Sequence, residues 1–115
     1  MTIEIRDDRA AGRLGAFDGA ERVGVIAYFV LRSGPGAGAL VAVHTVVEPG
    51  HEGRGIAGDL VRAFYGIAAA EQVAVVPLCP YAASWAARHP EQAPQPDAEV
   101  VEAAKRQLAS DPARW

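Results

Sequence analysis

Residues 44–61 read HTVVEPGHEGRGIAGDLV, and the spacing of apolar side chains changes inside this stretch. Up to Val47 the apolar residues run together as in a strand. From Ile56 onward they recur at three and four, through Leu60, Phe64 and Ile67, which draws one stripe of a helix ending near Glu71. Pro49 and Gly50 turn the chain between the two. Gly53 and Gly55 fall where the first N–H groups of the helix have no partner of their own. Unpaired donors, the positive end of the helix dipole and the charge of Arg54 together describe an anion site, with phosphate as its natural guest. The spacing is not G-x-x-x-x-G-K-[ST], and it is not G-x-G-x-x-G after a parallel strand. A P-loop and a dinucleotide-binding turn are therefore unsupported. On spacing alone, the same glycines serve equally well in a tight strand-to-helix turn that binds nothing.

Upstream, IEIRDD (3–8), RLGAF (13–17), RVGVIAYFVL (22–31) and ALVAVHTVV (39–47) are β-favouring runs that read as an antiparallel meander. RSGPGAG (32–38) reads as a flexible hairpin loop. Strict alternation puts Val23, Val25, Ala27, Phe29 and Leu31 on one face of the third strand, with Ile26, Tyr28 and Val30 on the other. In the fourth strand it groups Leu40, Ala42, His44 and Val46 against Val41, Val43, Thr45 and Val47. Both faces are apolar, as in a sheet covered on both sides. Downstream, VAVVPLCP (73–80) predicts a fifth strand cut off by Pro80, and YAASWAARH (81–89) a short helix stopped at Pro90. QAPQPD (92–97) is a linker, and Asp97 is an N-cap for a last helix through about Ala109, with Val100, Val101, Ala104 and Leu108 on one side. The fold class is α/β (α+β), a mainly antiparallel twisted sheet of about five strands flanked by helices. Residues 1–91 read as the domain and 92–115 as a linker and helical tail that docks on it, self-associates or frays.

The 115 residues, half of them hydrophobic, suit one domain with a modest core. No apolar run approaches the roughly 18 residues of a membrane span, and MTIEIRDDRA lacks a basic segment and an apolar signal core. The expectation is a cytoplasmic protein with no membrane partner. A single cysteine, Cys79, excludes an internal disulfide and a cysteine-based metal cluster, and no metal is expected. A net charge of −3 with scattered arginines excludes the footprint of a nucleic-acid binder, but not a small polyanion met by local positive charge.

Strand, HTVVEPGHEGRGIAGDLV, amphipathic helix, strand and VVPLCPYAASWAARHPE together closely resemble the small YjdJ-type GNAT-like domains of the GCN5-related N-acetyltransferase superfamily. The match in element order covers about residues 3–91 and is most specific from His44 to Glu91. The resemblance implies binding of acetyl-coenzyme A or a related acyl-coenzyme A through a Gln/Arg-x-x-Gly-x-Gly/Ala motif whose amides hold the pyrophosphate. The matching positions are Glu52, Gly53, Arg54, Gly55, Ile56 and Ala57, followed by Gly58. Gly55 and Ala57 agree with the pattern, whereas Glu52 places a carboxylate where the pattern has Gln or Arg. The resemblance further implies a V-shaped cofactor cleft between the fourth and fifth strands. The pantetheine arm would lie along His44, Thr45, Val46 and Val47, with the thioester near Leu78 and Cys79.

Transfer to an amine needs a base for the acceptor and a donor for the departing thiolate. His44, Glu48, Tyr81 and His89 are the candidates. His44 is equally a core histidine, and Tyr81 equally a packed tyrosine with a bonded hydroxyl. His89 reads as a helix-end residue, and Trp85 and Trp115 as packing. Cys79 is either an acyl carrier in a two-step route or a small wall beside the thioester. The resulting expectation is an acetyl-coenzyme A-dependent N-acetyltransferase acting on an amine of a small molecule or protein, with Cys79, His44 and Tyr81 as catalytic candidates. Full-size members carry N-terminal helices that build the acceptor side, and here the first strand begins by Ile3. The alternative is a non-catalytic coenzyme A-binding or protein-interaction module. Either a monomer or a homodimer is compatible with the sequence.

Overall fold

A computed structural model describes residues 2–32 and 38–111. Most of the RSGPGAG loop, and Trp115 with its expected packing role, lie outside the described residues. Five strands form one sheet in sequence order: β1 (Ile3–Asp8), β2 (Arg13–Asp18), β3 (Glu21–Leu31), β4 (Ala39–Val47) and β5 (Ala74–Pro77). The first three pairings are antiparallel, and β5 pairs parallel to β4. A parallel neighbour needs a crossover, which α1 (Ile56–Glu71) supplies. The helices α2 (Pro80–Arg88) and α3 (Ala98–Ser110) follow. Pro80 opens α2, where its missing N–H costs nothing.

α1 lies on one face of the sheet. Leu60, Phe64 and Ala68 pack there with Leu14, Ile26, Tyr28 and Leu40, all of them buried. Burying Phe64 in this way is worth on the order of 2–3 kcal/mol, and its ring meets Tyr28 edge-on at 5.1 Å. Gly24 lets the helix come this close, because a Cβ there would stand 3.0 Å from Ile56 Cγ2 and 3.1 Å from Leu60 Cδ1. α3 covers part of the opposite face, where Val100, Ala103 and Ala104 join Phe29, Leu31, Val41 and Val76 in a second core. The tail helix therefore docks, and its narrow apolar stripe suffices because small alanines let it sit low on the sheet.

Two register shifts correct the alternation read from the sequence. Tyr28 faces Ala42 but Ala27 faces His44, so Val43 is an extra residue in β4. An extra residue reverses the pleat beyond it. Leu40 and Ala42 face α1, as do Thr45 and Val47 past the bulge, while Val41 and Val43 face α3. His44 is thereby parted from Ala42, and it is exposed along with Val46, rather than being a core histidine. A second shift opposite Ala16 and Phe17 sends Val23 to the α1 side with Ile26 and Tyr28. Alternation alone had grouped Val23 with Phe29.

Candidate functional site

The pairing of β4 with β5 stops at Ala42 opposite Pro77, although β4 continues to Val47. The carbonyl of Ala42 accepts hydrogen bonds from the N–H groups of both Leu78 and Cys79, at 3.0 Å each, and this pair of hydrogen bonds sits where the chain leaves β5 for α2. Cys79 is the N-cap of α2 and is buried, and its thiol donates to Thr45 Oγ1 at 3.3 Å. Two residues on, Tyr81 stands at the surface of the same corner, 37% exposed.

At the end of β4 the chain makes a 3-10 turn, Pro49–His51, anchored by Glu48 N–H on Val23 O at 2.8 Å. Gly53 and Gly55 then take φ of 80° and 77°, a left-handed conformation costly for any other residue except, to a degree, Asn or Asp. Gly55 is the N-cap of α1, with no side-chain hydrogen bond closing the helix. The first helical bond runs from Asp59 N–H to Gly55 O at 3.0 Å. The amides before it therefore have no partner within the helix, and nothing lies within 4 Å of where a Cβ on Gly53 or Gly55 would project.

These elements enclose a cavity of about 360 Å³. Thr45 and Val47 form its strand wall, Gly53, Gly55, Ile56 and Ala57 its turn and helix wall, and Tyr81 faces them from α2. Seven of the residues expected from the sequence thus share one concavity. Of the others, Cys79 stands behind the wall on Thr45, Arg54 is exposed beside the turn, Gly58 lies under Tyr81 and Trp85, and His44 and Val46 are turned away. His51 also lines the cavity, with Glu52. The His51 ring lies between Glu21, Oε1 to Nε2 at 3.4 Å, and Arg54, Nη1 to Nδ1 at 3.5 Å. His51 is not among the residues singled out from the sequence; its place three residues before Arg54 in the glycine turn is the signal that marks it. His89 is a helix-end residue, as expected: its Nδ1–H donates to Trp85 O at 2.8 Å and its ring stacks on the indole at 4.1 Å. A larger cavity of about 810 Å³ runs between β5, α2 and α3, but it is lined mainly by alanines and prolines, and of the residues expected near the cofactor only Leu78 borders it. Among the described residues no cluster of metal-ligating side chains occurs, and no helix is long and apolar enough to cross a membrane.

A mixed five-stranded sheet, in which a glycine turn and helix carry the chain from β4 to a parallel β5 that parts from it, defines an acetyltransferase-type α/β fold. The chain belongs to the GCN5-related N-acetyl-transferase family, whose family model matches residues 13–95. Among solved structures it is similar to a ribosomal-protein-alanine N-acetyltransferase from Brucella melitensis biovar Abortus 2308, with a TM-score of 0.54 and 23% identity over 74% of this chain. It is also similar to an aminoglycoside acetyltransferase, HMB0005, from an uncultured soil metagenomic sample, with a TM-score of 0.51 and 21% identity over 85% of this chain. The chain spans 62% and 55% of the lengths of these two proteins, and at such identity the likeness is one of fold. No curated protein sequence matches it significantly.

Proposed function

We propose that the protein is an N-acetyltransferase that transfers an acetyl group from acetyl-coenzyme A to an amine. The observation that carries this reading is the meeting, around one cavity, of the open first turn of α1, the unpaired end of β4 and the Tyr81 side chain. The residues present fit the cofactor. The bare turn at Gly53 and Gly55 offers N–H donors and dipole to a pyrophosphate, with Arg54 adding charge beside it. The edge of β4 from Thr45 to Val47, left by β5, offers backbone groups to the pantetheine arm in the V between the two strands. Glu52 is carried at the rim, where the amides rather than its side chain do the holding.

When bound, the cofactor supplies an acyl group activated as a thioester. The chain's own part is to orient that group and manage protons. Tyr81 is the donor to the departing thiolate, since it alone among the candidate acids and bases of the sequence lines the cavity. Cys79 fits direct transfer better than a covalent route, because its thiol is buried and already donates to Thr45. It serves as wall and strut. His44, on the other face of β4, is not assigned the base.

Calorimetric titration with coenzyme A, followed by an assay of thiol release from acetyl-coenzyme A against a panel of primary amines, tests the reading. The expected result is saturable binding and acceptor-dependent release of free thiol. Binding with no release on any amine would favour a binding module without catalysis, a reading to which the carboxylate of Glu52 at the cavity lends support. Absence of binding would remove both.

A further inference from the structure

The 3-10 turn that leads toward α1 is stitched to β3 twice, once by backbone and once by a side chain. Glu48 N–H donates to Val23 O at 2.8 Å, and the ring of His51 reaches Glu21, with Nε2 3.4 Å from Oε1. His51 N–H closes the turn on Glu48 O at 2.8 Å, and its ring lines the cavity together with Gly53 and Gly55. The two neighbours of that ring are chemical opposites, because a carboxylate only accepts hydrogen bonds and a guanidinium only donates them. Glu21 calls for a proton on Nε2. Arg54, whose Nη1 stands 3.5 Å from Nδ1, calls for a bare lone pair on that nitrogen. One species meets both demands, the neutral imidazole with its proton on Nε2. A ring matched to a different partner at each nitrogen orients its neighbour, which packing alone would not require. Arg54 is exposed, and its long side chain has many rotamers to lose when it is ordered.

We propose that His51 is a positioning residue: backed by Glu21, it holds the Arg54 guanidinium beside the glycine turn, aimed in advance at the phosphates of coenzyme A. Ordering Arg54 before the ligand arrives removes part of the entropy cost from the binding step. Glu21 and His51 act through Arg54 and touch no phosphate themselves. The inference rests on the proposed cofactor reading and extends it to a chain of contacts that starts on β3.

Asparagine and glutamine divide the two ring nitrogens between them. The amide oxygen of Asn stands where Nδ1 stands and still accepts from Arg54, whereas the amide nitrogen of Gln stands nearer to Nε2 and keeps only the donor to Glu21. Calorimetric titration with coenzyme A compares His51→Asn, His51→Gln, His51→Leu, Arg54→Met and the double variant His51→Leu/Arg54→Met. Arg54→Met is expected to weaken binding about tenfold, the usual scale for a hydrogen bond between charged groups. His51→Leu and His51→Gln should each cost about fivefold, since a loose guanidinium still reaches the phosphates once it has been ordered. His51→Asn should stay within about twofold of wild type. In the double variant the change at His51 should add nothing, because the group it positions is gone. Equal losses from His51→Leu in both backgrounds, or a loss that Asn does not restore, would show that His51 shapes the turn or meets the ligand directly, and either overturns the proposal. So does full affinity in Arg54→Met. The comparison of Asn with Gln decides the question even if the leucine variant does not fold. No binding by the wild-type protein removes the cofactor reading and this inference with it.

Discussion

The two ends of α1 are finished in opposite ways. At its start there is no side-chain cap, the preceding residues are glycines in the left-handed region, and a cavity opens onto the first turn. At its end the chain turns back and ties the carbonyls of Ala68 and Ala69. Gln72 takes the left-handed conformation at φ 58° and returns its N–H to Ala69 O at 3.2 Å, while Val73 N–H reaches Ala68 O at 3.0 Å. Arg9, just past β1, grips both oxygens of Glu71, and Asp7 accepts the hydroxyl of Tyr28. Burial first, and Asp7 second, push that phenol up to about 12, so it remains a neutral donor. One helix thus spends its N-terminus on openness and its C-terminus on closure. Uncapped amides that open onto a cavity, at the end of the helix where the dipole is positive, suit an anionic ligand.

The largest expected effect strikes the open end. Gly55→Val forces a β-branched residue into a left-handed conformation, which costs about 1–3 kcal/mol of stability, and it displaces the turn that presents the amides. Coenzyme A affinity is expected to fall by ~100-fold or more, beyond what the stability loss explains. Calorimetry at a temperature where the variant is still folded measures this, and retained affinity would mean that the open amides are not the phosphate site. The next effect concerns chemistry alone. Tyr81→Phe should keep the KM for acetyl-coenzyme A within a few-fold while kcat falls ~10²-fold. Steady-state kinetics with the best acceptor decides it, and an unchanged kcat would reduce Tyr81 to a wall of the cavity.

The sequence made the architecture legible because its punctuation is strong. Pro90 and Asp97 bound helices at the positions expected, and the change of period at Ile56 marks the start of α1, whereas the strand expected to run to Pro80 ends at Pro77 and Pro80 opens α2 instead. The glycine turn was readable for the same reason, since Gly53 and Gly55 declare their backbone. What alternation could not deliver was the phase of β4 beyond Val43. A bulge is an agreement between two strands about which residue goes unpaired, and nothing local to VAVHTVV announces it. That one extra residue exchanges His44 for Thr45 at the cavity wall, and so changes which side chain meets Cys79. Trp85 was read as packing because burial is what its neighbours predict.

The smallest effect should come from the closed end. Glu71 is held below its usual pKa, first by its hydrogen bonds from Arg9 and then, burial opposing, by the charge of that guanidinium. A carboxylate whose folded-state pKa is depressed adds stability that is complete above its unfolded value of about 4.3, and loses it as pH falls through the lower folded value. Both partners are more than a third exposed, at 37% and 40%, so solvent screening limits the pair to about 0.5–1 kcal/mol. Glu71→Gln should therefore cost no more than that at pH 7, as read by urea unfolding, and the gap between variant and wild type should close in strongly acidic solution. Coenzyme A affinity should stay where it was, because the helix body between the ends is packed by Leu60 and Phe64 and has one arrangement. If untying Glu71 loosened the cofactor instead, the two ends would be coupled through α1. The closed end would then help set the open one.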